Sequence, residues 1–261
     1  MDVIPVVDIL GGNVVRAVRG ERSAYRPIRS ALCDSSEPLR VARILVERCA
    51  TRKLYVADLD ALLGGDAQTR VIAALLASIP ELEVWLDAGF DGLAASRNVL
   101  GALEPYASRV TPVFGSESLR SREEAVRCFA DREAAILSLD RRDGRPLDPG
   151  GCWTADAFWP SRIIVMTLDR VGAFAGPDLD TIADVRYRAP HAEVIGAGGI
   201  RDADDLEAAA RTGAHAWLVA SALHDLRIPA NAPGAHRLSA PRNDDAMALR
   251  EPPPVPPKEP R

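Results

Sequence analysis

The sequence predicts an α/β fold, a (β/α)8 barrel built from two repeated half-barrels and followed by a disordered proline-rich tail. Three observations carry that prediction. Short apolar runs of β type alternate with longer Ala/Leu/Arg/Glu-rich segments of helical periodicity. Eight such runs occur, a number and spacing that 261 residues can close into one barrel. The second four runs repeat the endings of the first four, in the same order. A doubly wound open sheet is the alternative that the same alternation allows.

The first strand is expected over Val3–Ile9. No basic region precedes it and Asp8 lies within it, so it reads as a strand and not as a signal peptide. Further strands are expected over Lys53–Asp58, Glu83–Asp87, Arg109–Phe114, Ala134–Asp140, Arg162–Thr167, Ala192–Ile195 and Ala216–Ala220. Helical spacing between them is clear over Pro38–Cys49 and Arg122–Phe129, and a helix is expected after every strand but the last. Strand one ends VVDILGG and strand five LSLDRRDG, each with one Asp near its end. Strands two and six give VADLDALLGG and MTLDRVGAFAG, strands three and seven EVWLDAGF and EVIGAGGI, strands four and eight TPVFGSESL and WLVASALHD. Residues 1–227 are therefore assigned to the barrel and 228–261, rich in proline, to the tail. No full-length helix follows strand eight, and a second subunit could cover the wall there, making a homo-oligomer.

Composition narrows the function classes. A formal net charge of −5 argues against a general nucleic-acid binder. No apolar run approaches the ~20 residues of a membrane-spanning helix. Cys33, Cys49, Cys128 and Cys152 are scattered without paired spacing, which indicates neither zinc nor disulfides and fits a reducing cytoplasm. The four histidines all lie late, at 191, 215, 224 and 236, so acid–base chemistry falls to carboxylates. The four tryptophans read as packing residues, with Trp153 the one placed to meet a ligand.

Two constellations carry chemistry. In GAGGI, Gly198 and Gly199 let backbone N–H groups approach an anion without a Cβ in the way, at a helix start. Ala220 and Ser221 occupy the matching place after strand eight, and the loops after strands seven and eight are where barrels of this kind bind phosphate. Asp8 and Asp140 end strands one and five, which are diametrically opposed, so the two carboxylates face one another across the mouth. Such a pair divides into base and acid when its environments push the pKa values apart.

The stretches IPVVDILGGNVVRAVRG, LSLDRRDGRPL, IGAGGIRDADDL and VASALHD resemble the histidine-biosynthesis barrels, ProFAR isomerase and imidazole-glycerol-phosphate cyclase. The resemblance covers about residues 3–225. Arg16 and Arg19 in NVVRAVRG bring it nearer the isomerase. It implies Asp8 as general base at C2 of an aminoaldose and Asp140 as general acid at the ring oxygen, in an Amadori rearrangement of a small phosphorylated substrate without metal or redox cofactor. Gly89, Gly115, Ser116, Thr167, Asp169, Arg170 and Arg19 fall at further substrate-contacting positions of that pattern.

The departures are concentrated in strand three. Where the family carries Gly-Gly-Gly-Ile-Arg for a second phosphate, this chain has LDAGFDG, with Asp87 and Asp91 and only Gly89 of the glycines. Carboxylates repel a phosphate dianion. Strand four keeps Gly115 and Ser116 but adds Glu117. One phosphate site is intact and the other reversed in charge. These departures resemble a side branch of uncharacterised ProFAR-isomerase-related proteins of methanogens and methylotrophs. That resemblance implies work near one-carbon cofactor metabolism, on tetrahydromethanopterin or methanofuran precursors. A true ProFAR isomerase and a non-catalytic binding barrel are the alternatives.

Overall fold

The eight barrel strands of the computed structural model are β1 (Asp2–Leu10), β2 (Lys53–Asp58), β3 (Glu83–Asp87), β4 (Val110–Gly115), β5 (Ile136–Arg142), β6 (Arg162–Thr167), β7 (Glu193–Ala197) and β8 (Ala216–Val219). Each pairs in parallel with the next, and β8 closes on β1 with Asp2 opposite Ala216 and Pro5 opposite Val219. The structure describes residues 1–18, 21 and 24–230, so Arg19 and residues 231–261 of the tail lie outside it. Among the described residues no helix is long and apolar enough to cross a membrane.

Period-two alternation sorts the strand side chains into two layers. Ile4, Tyr55, Trp85, Val113, Ile136, Ile164, Ile195 and Leu218 point inward and fill the barrel. Val3, Val7, Leu54, Val56, Val84, Leu86, Leu137, Ile163 and Val194 point outward and pack beneath the helices. Asp8, Asp87 and Asp140 continue the inward rows at the strands' C-terminal ends, two residues beyond Val6, Trp85 and Ser138.

The helices are α1 (Pro38–Cys49), α2 (Leu59–Leu62), α3 (Thr69–Ser78), α4 (Leu93–Ala102), α5 (Arg122–Cys128), α6 (Leu179–Arg188), α7 (Ala203–Arg211) and α8 (Ser221–His224). Their starts follow local chemistry. Pro38 begins α1, and Glu37 accepts hydrogen bonds from the N–H groups of Leu39 and Arg40. Ser121, Asp178 and Asp202 cap α5, α6 and α7 with side-chain oxygens. Ala50 ends α1 in the left-handed region, at φ 48°.

Two elements depart from the sequence expectation. No α-helix joins β5 to β6. Two single 3-10 turns, Cys152–Thr154 and Asp156–Phe158, replace it. The segment runs PGGCWTADAFWP, and its prolines and glycines end helices as fast as they start. Trp159, 2% exposed, covers the wall in place of the helix, with its indole N–H on the Cys152 carbonyl and the Arg188 guanidinium over its ring. At the other end, Ile228 is buried and its carbonyl accepts from Arg48 on α1, so the packed chain runs past the expected boundary at 227.

Candidate active site

The mouth of the barrel is capped by two equivalent hairpins. β1 turns at Gly11–Gly12, both with positive φ, and pairs antiparallel with Asn13–Arg16. β5 turns at Asp143–Gly144, again both with positive φ, and pairs with Arg145–Pro146. Below them lies a cavity of about 110 Å³ lined by both predicted catalytic residues, Asp8 and Asp140, and by Gly198, Gly199, Ala220 and Ser221. Arg170 lines it too.

Asp140 is 5% exposed and held on all sides. Its Oδ1 accepts from the Ser138 hydroxyl at 2.6 Å and its Oδ2 from the Glu117 N–H at 3.2 Å, with Ser116 Oγ, whose proton goes to the Leu147 carbonyl, 3.5 Å away. Its own N–H donates to Ser116 Oγ at 2.8 Å, and its carbonyl accepts from the Trp153 indole at 3.1 Å. Burial pushes its carboxyl well above the usual carboxylate range. The Glu117 and Asp87 charges push the same way, against the opposing hydrogen bonds from Ser138 and the Glu117 N–H. Asp8 lies opposite Ala57 of β2, is only partly buried, and lines the same cavity.

The glycine loop after β7 serves packing as well as access. Gly198 and Gly199 have φ of 86° and 87°. A Cβ on Gly199 would stand 2.1 Å from the Gly176 carbonyl oxygen, so no other residue lets the β6 and β7 loops meet. Arg170 donates from one nitrogen to the Gly176 carbonyl at 3.0 Å and to that of Pro177 at 2.7 Å, which sets a cation beside the glycine loop. The N-terminus of α7 contributes less than the sequence suggests. Asp202 caps it, and Arg201 and Asp205 pair across its first turn.

Other predicted contacts stand elsewhere. Thr167 is buried, outside the cavity lining, and donates to Asp178 Oδ2 at 2.9 Å. Asp169 accepts from the Asp143 N–H and lines a separate shallow groove. Gly89 packs on Leu62, so closely that a Cβ on Gly89 would stand 3.1 Å from the Leu62 Cα. Gly115 and Ser116 are bound up with Asp140: a Cβ on Gly115 would lie 2.9 Å from Asp140 Oδ2. In this chain these two hold the Asp140 carboxyl in place. Of the two acidic residues in the strand-three loop, Asp87 lines the cavity, while Asp91 is exposed and pairs with Arg120 at 3.8 Å.

Glu117, which the sequence places at the charge-reversed site, lines the cavity, and so do Tyr55 and Arg142, which sequence reasoning does not assign to it. The Tyr55 hydroxyl donates to Asp87 Oδ2 at 2.9 Å, and Asp87 Oδ1 accepts from the Gly89 N–H at 3.1 Å. Burial, then the charges of Asp87, Asp140 and Asp8, hold the Tyr55 phenol well above its usual pKa, so it stays a donor. One signal in the sequence could have marked it: in KLYVAD, Tyr55 shares the inward register with Ala57.

Comparison with known proteins agrees with this geometry. The family model described as histidine biosynthesis protein matches residues 2–229. An uncharacterized protein of Methanocaldococcus jannaschii is 26% identical over 230 residues, covering 86% of this chain and 93% of its own. The ProFAR isomerase of Thermomicrobium roseum is 29% identical over 254 residues, with 87% and 94% covered. Phosphoribosyl isomerase A of Mycobacterium ulcerans is 28% identical over 225 residues, with 79% and 85% covered. With its closed eightfold barrel and a match that runs almost the whole barrel length, the chain belongs to the histidine biosynthesis protein family.

Proposed function

We propose that the chain is a metal-free aldose–ketose isomerase of the ProFAR isomerase type, acting on a singly phosphorylated sugar or ribosyl-amine. The observation that carries this reading is the contrast between Asp140 and Asp8 in one cavity. Asp140 is buried, hydrogen-bonded and pushed toward its protonated form. Asp8 is more exposed, on the opposite side of the barrel. Two carboxyls so separated divide the labour of an Amadori rearrangement. Asp8 takes the proton from C2 of the aminoaldose. Asp140 gives a proton to the ring oxygen as the ring opens. The enol so formed becomes the ketose as Asp8 returns the proton to C1 and the C2 hydroxyl proton passes to Asp140, which restores both carboxyls. The phosphate docks at Gly198, Gly199, Ala220 and Ser221 beside Arg170, and its binding orients the reacting carbons between the carboxyls.

The second reading is ProFAR isomerase itself, favoured by relatives of that name that cover most of the chain. Against it stands Asp87 in the strand-three loop, where a second phosphate would have to sit. The one-carbon part of this reading, precursors of one-carbon cofactors as substrate, is supported by the resemblance to the ProFAR-isomerase-related branch alone. ProFAR turnover by the purified full chain decides between the two, with Asp8→Asn as the control. Robust turnover that Asp8→Asn abolishes would assign the histidine-pathway reaction and defeat the charge argument. Absence of turnover from folded protein supports the singly phosphorylated substrate.

A further inference from the structure

The loop after β6 divides two hollows. Gly172 and Phe174 line the cavity that holds Asp8 and Asp140, while Ala173 and Ala175 line the shallow groove of Asp143 and Asp169. Arg142 borders both, so the chain from Ala173 to Ala175 is a wall between them. The two feet of the loop are fixed. A Cβ on Gly172 would stand 2.1 Å from the Ala17 carbonyl oxygen, and Arg170 holds the Gly176 and Pro177 carbonyls. The tip is a strained point. Phe174 is partly buried and has φ of 51°, a left-handed conformation that a bulky residue takes only where its surroundings impose it. The Arg227 guanidinium lies over its ring, 4.4 Å from the centroid. Arg227 is exposed and follows α8, and its N–H donates to the Ala222 carbonyl at 2.9 Å. One cation–π contact thus ties the loop after β6 to the chain after β8, across the mouth of the cavity.

The cavity of about 110 Å³ is smaller than the ~300 Å³ at which pockets for small-molecule ligands begin. A ligand as large as a phosphorylated sugar needs one of its walls to move. The wall that already borders a second hollow is the tip of the β6 loop. From this we infer that Phe174 is the door between groove and cavity, and that Arg227 is its latch. A ligand enters along the groove, the ring swings away from Arg227, and the two hollows join beside Arg142. An exposed cation–π contact has the strength such a latch needs, enough to favour the closed state and little enough to yield at every turnover. Once closed, the ring keeps water from the two carboxyls. The door is a property of the cavity, so it stands or falls apart from the phosphate assignment made above.

A reporter thiol inside the cavity tests it in the full chain. Ala57→Cys places one on the cavity lining, with Met166→Cys as a second position, and the four native cysteines are buried. Labelling rates are read with a small reagent, methyl methanethiosulfonate, and a bulky one, monobromobimane, against the chain without the reporter. Phe174→Ala is expected to speed the bulky reagent by about an order of magnitude and to leave the small one nearly unchanged. Arg227→Gln is expected to speed the bulky reagent by about two- to fivefold, the weight of an exposed cation–π contact, and Arg227→Lys, which keeps the cation, by less. If Phe174→Ala leaves the bulky reagent unchanged, or speeds both reagents alike, the door is overturned. If Phe174→Ala acts as expected while Arg227→Gln does nothing, the latch is overturned. If neither reporter thiol reacts with the bulky reagent in any folded variant, no route opens at Phe174 and the inference falls.

Discussion

The two halves of the barrel use the same positions for different chemistry. Both lead strands, β1 and β5, overrun the barrel into a hairpin, and both carry an aspartate at the mouth. Around Asp140 the second half has closed a cage of Ser138, Ser116 and the Glu117 N–H. Asp8 in the first half is left partly exposed. In the third strand of each half the contrast reverses. There the first half carries the charge, at Asp87, and the second half carries bare backbone, at Gly198 and Gly199. The difference teaches that a repeated scaffold fixes where side chains point, while local burial and hydrogen bonding fix what they do. Equal positions do not imply equal roles.

The largest test of that contrast removes each aspartate in turn. Asp8→Asn and Asp140→Asn are each expected to lower kcat by about 10²–10⁴-fold, the usual weight of a positioned acid or base. Substrate affinity should hold within a few-fold, as measured by calorimetry. The two should differ in their stability. Asp140 has a raised native pKa, so its proton favours the folded state at low pH, and that stabilisation is lost as pH rises from the unfolded value near 3.8 through the native one. Asp140→Asn removes this pH dependence and Asp8→Asn leaves it in place; denaturant unfolding across pH reads both. If the two variants were indistinguishable in pH-dependent stability, the asymmetry between the halves would be wrong.

A smaller change sharpens the same point without deleting the acid. The Ser138 hydroxyl lowers the Asp140 pKa against the dominant effect of burial. Ser138→Ala should therefore raise it further and move the alkaline limb of the kcat profile to higher pH. Activity at the optimum should change by less than tenfold. Gly115→Ala should do more damage, because its Cβ would press within 2.9 Å of the carboxylate and displace it. A kcat loss without a comparable loss of affinity is expected there. An unchanged profile in Ser138→Ala would remove the hydrogen-bond account of Asp140.

Most of the barrel was legible because its strands alternate and its helix starts are written in short polar signals. Pro38, Ser121 and Asp202 mark helix starts, and β2, β3 and β6 begin and end at the residues that alternation indicates. The β5–β6 crossover was misread as a helix, since what fills the wall there is Trp159 of the crossover itself, and that packing shows only in the fold. Asp8 and Asp140 could be placed at one cavity because a lone aspartate at a strand end repeats in both halves. Gly115, Ser116 and Thr167 read as ligand contacts from their positions, and only tertiary contacts reveal that they hold Asp140 and Asp178. Tyr55 was hidden for the converse reason: in an apolar run a tyrosine reads as core until its hydroxyl is seen to meet Asp87.

The smallest expected effect lies where the halves join. α8 is one turn long and carries Ser221, and it and Asp225 just after it are fastened to the first half, in part by the Leu32 N–H donating to the His224 carbonyl at 3.1 Å. Arg16, from the β1 hairpin, makes a two-pronged pair with Asp225 at 2.7 and 3.1 Å. His224 is 2% exposed, with Nδ1 at 3.2 Å from the Ser30 hydroxyl. Burial, helped by the Arg16 charge, lowers the His224 pKa to about 4. A depressed native pKa means that the unfolded chain binds the proton more readily. Stability from this residue is thus complete above the unfolded value near 6.5 and is lost as pH falls toward 4. His224→Gln should flatten the stability profile between those limits and leave the pH-7 value within about 1–3 kcal/mol of the parent, the cost of a remade buried hydrogen bond. Because α8 presents Ser221 to the cavity, the same variant should raise KM for a phosphate-bearing substrate more than it lowers kcat. A kcat loss with KM unchanged would instead place His224 in the chemistry of the first half, beside Asp8, which lines the same small recess.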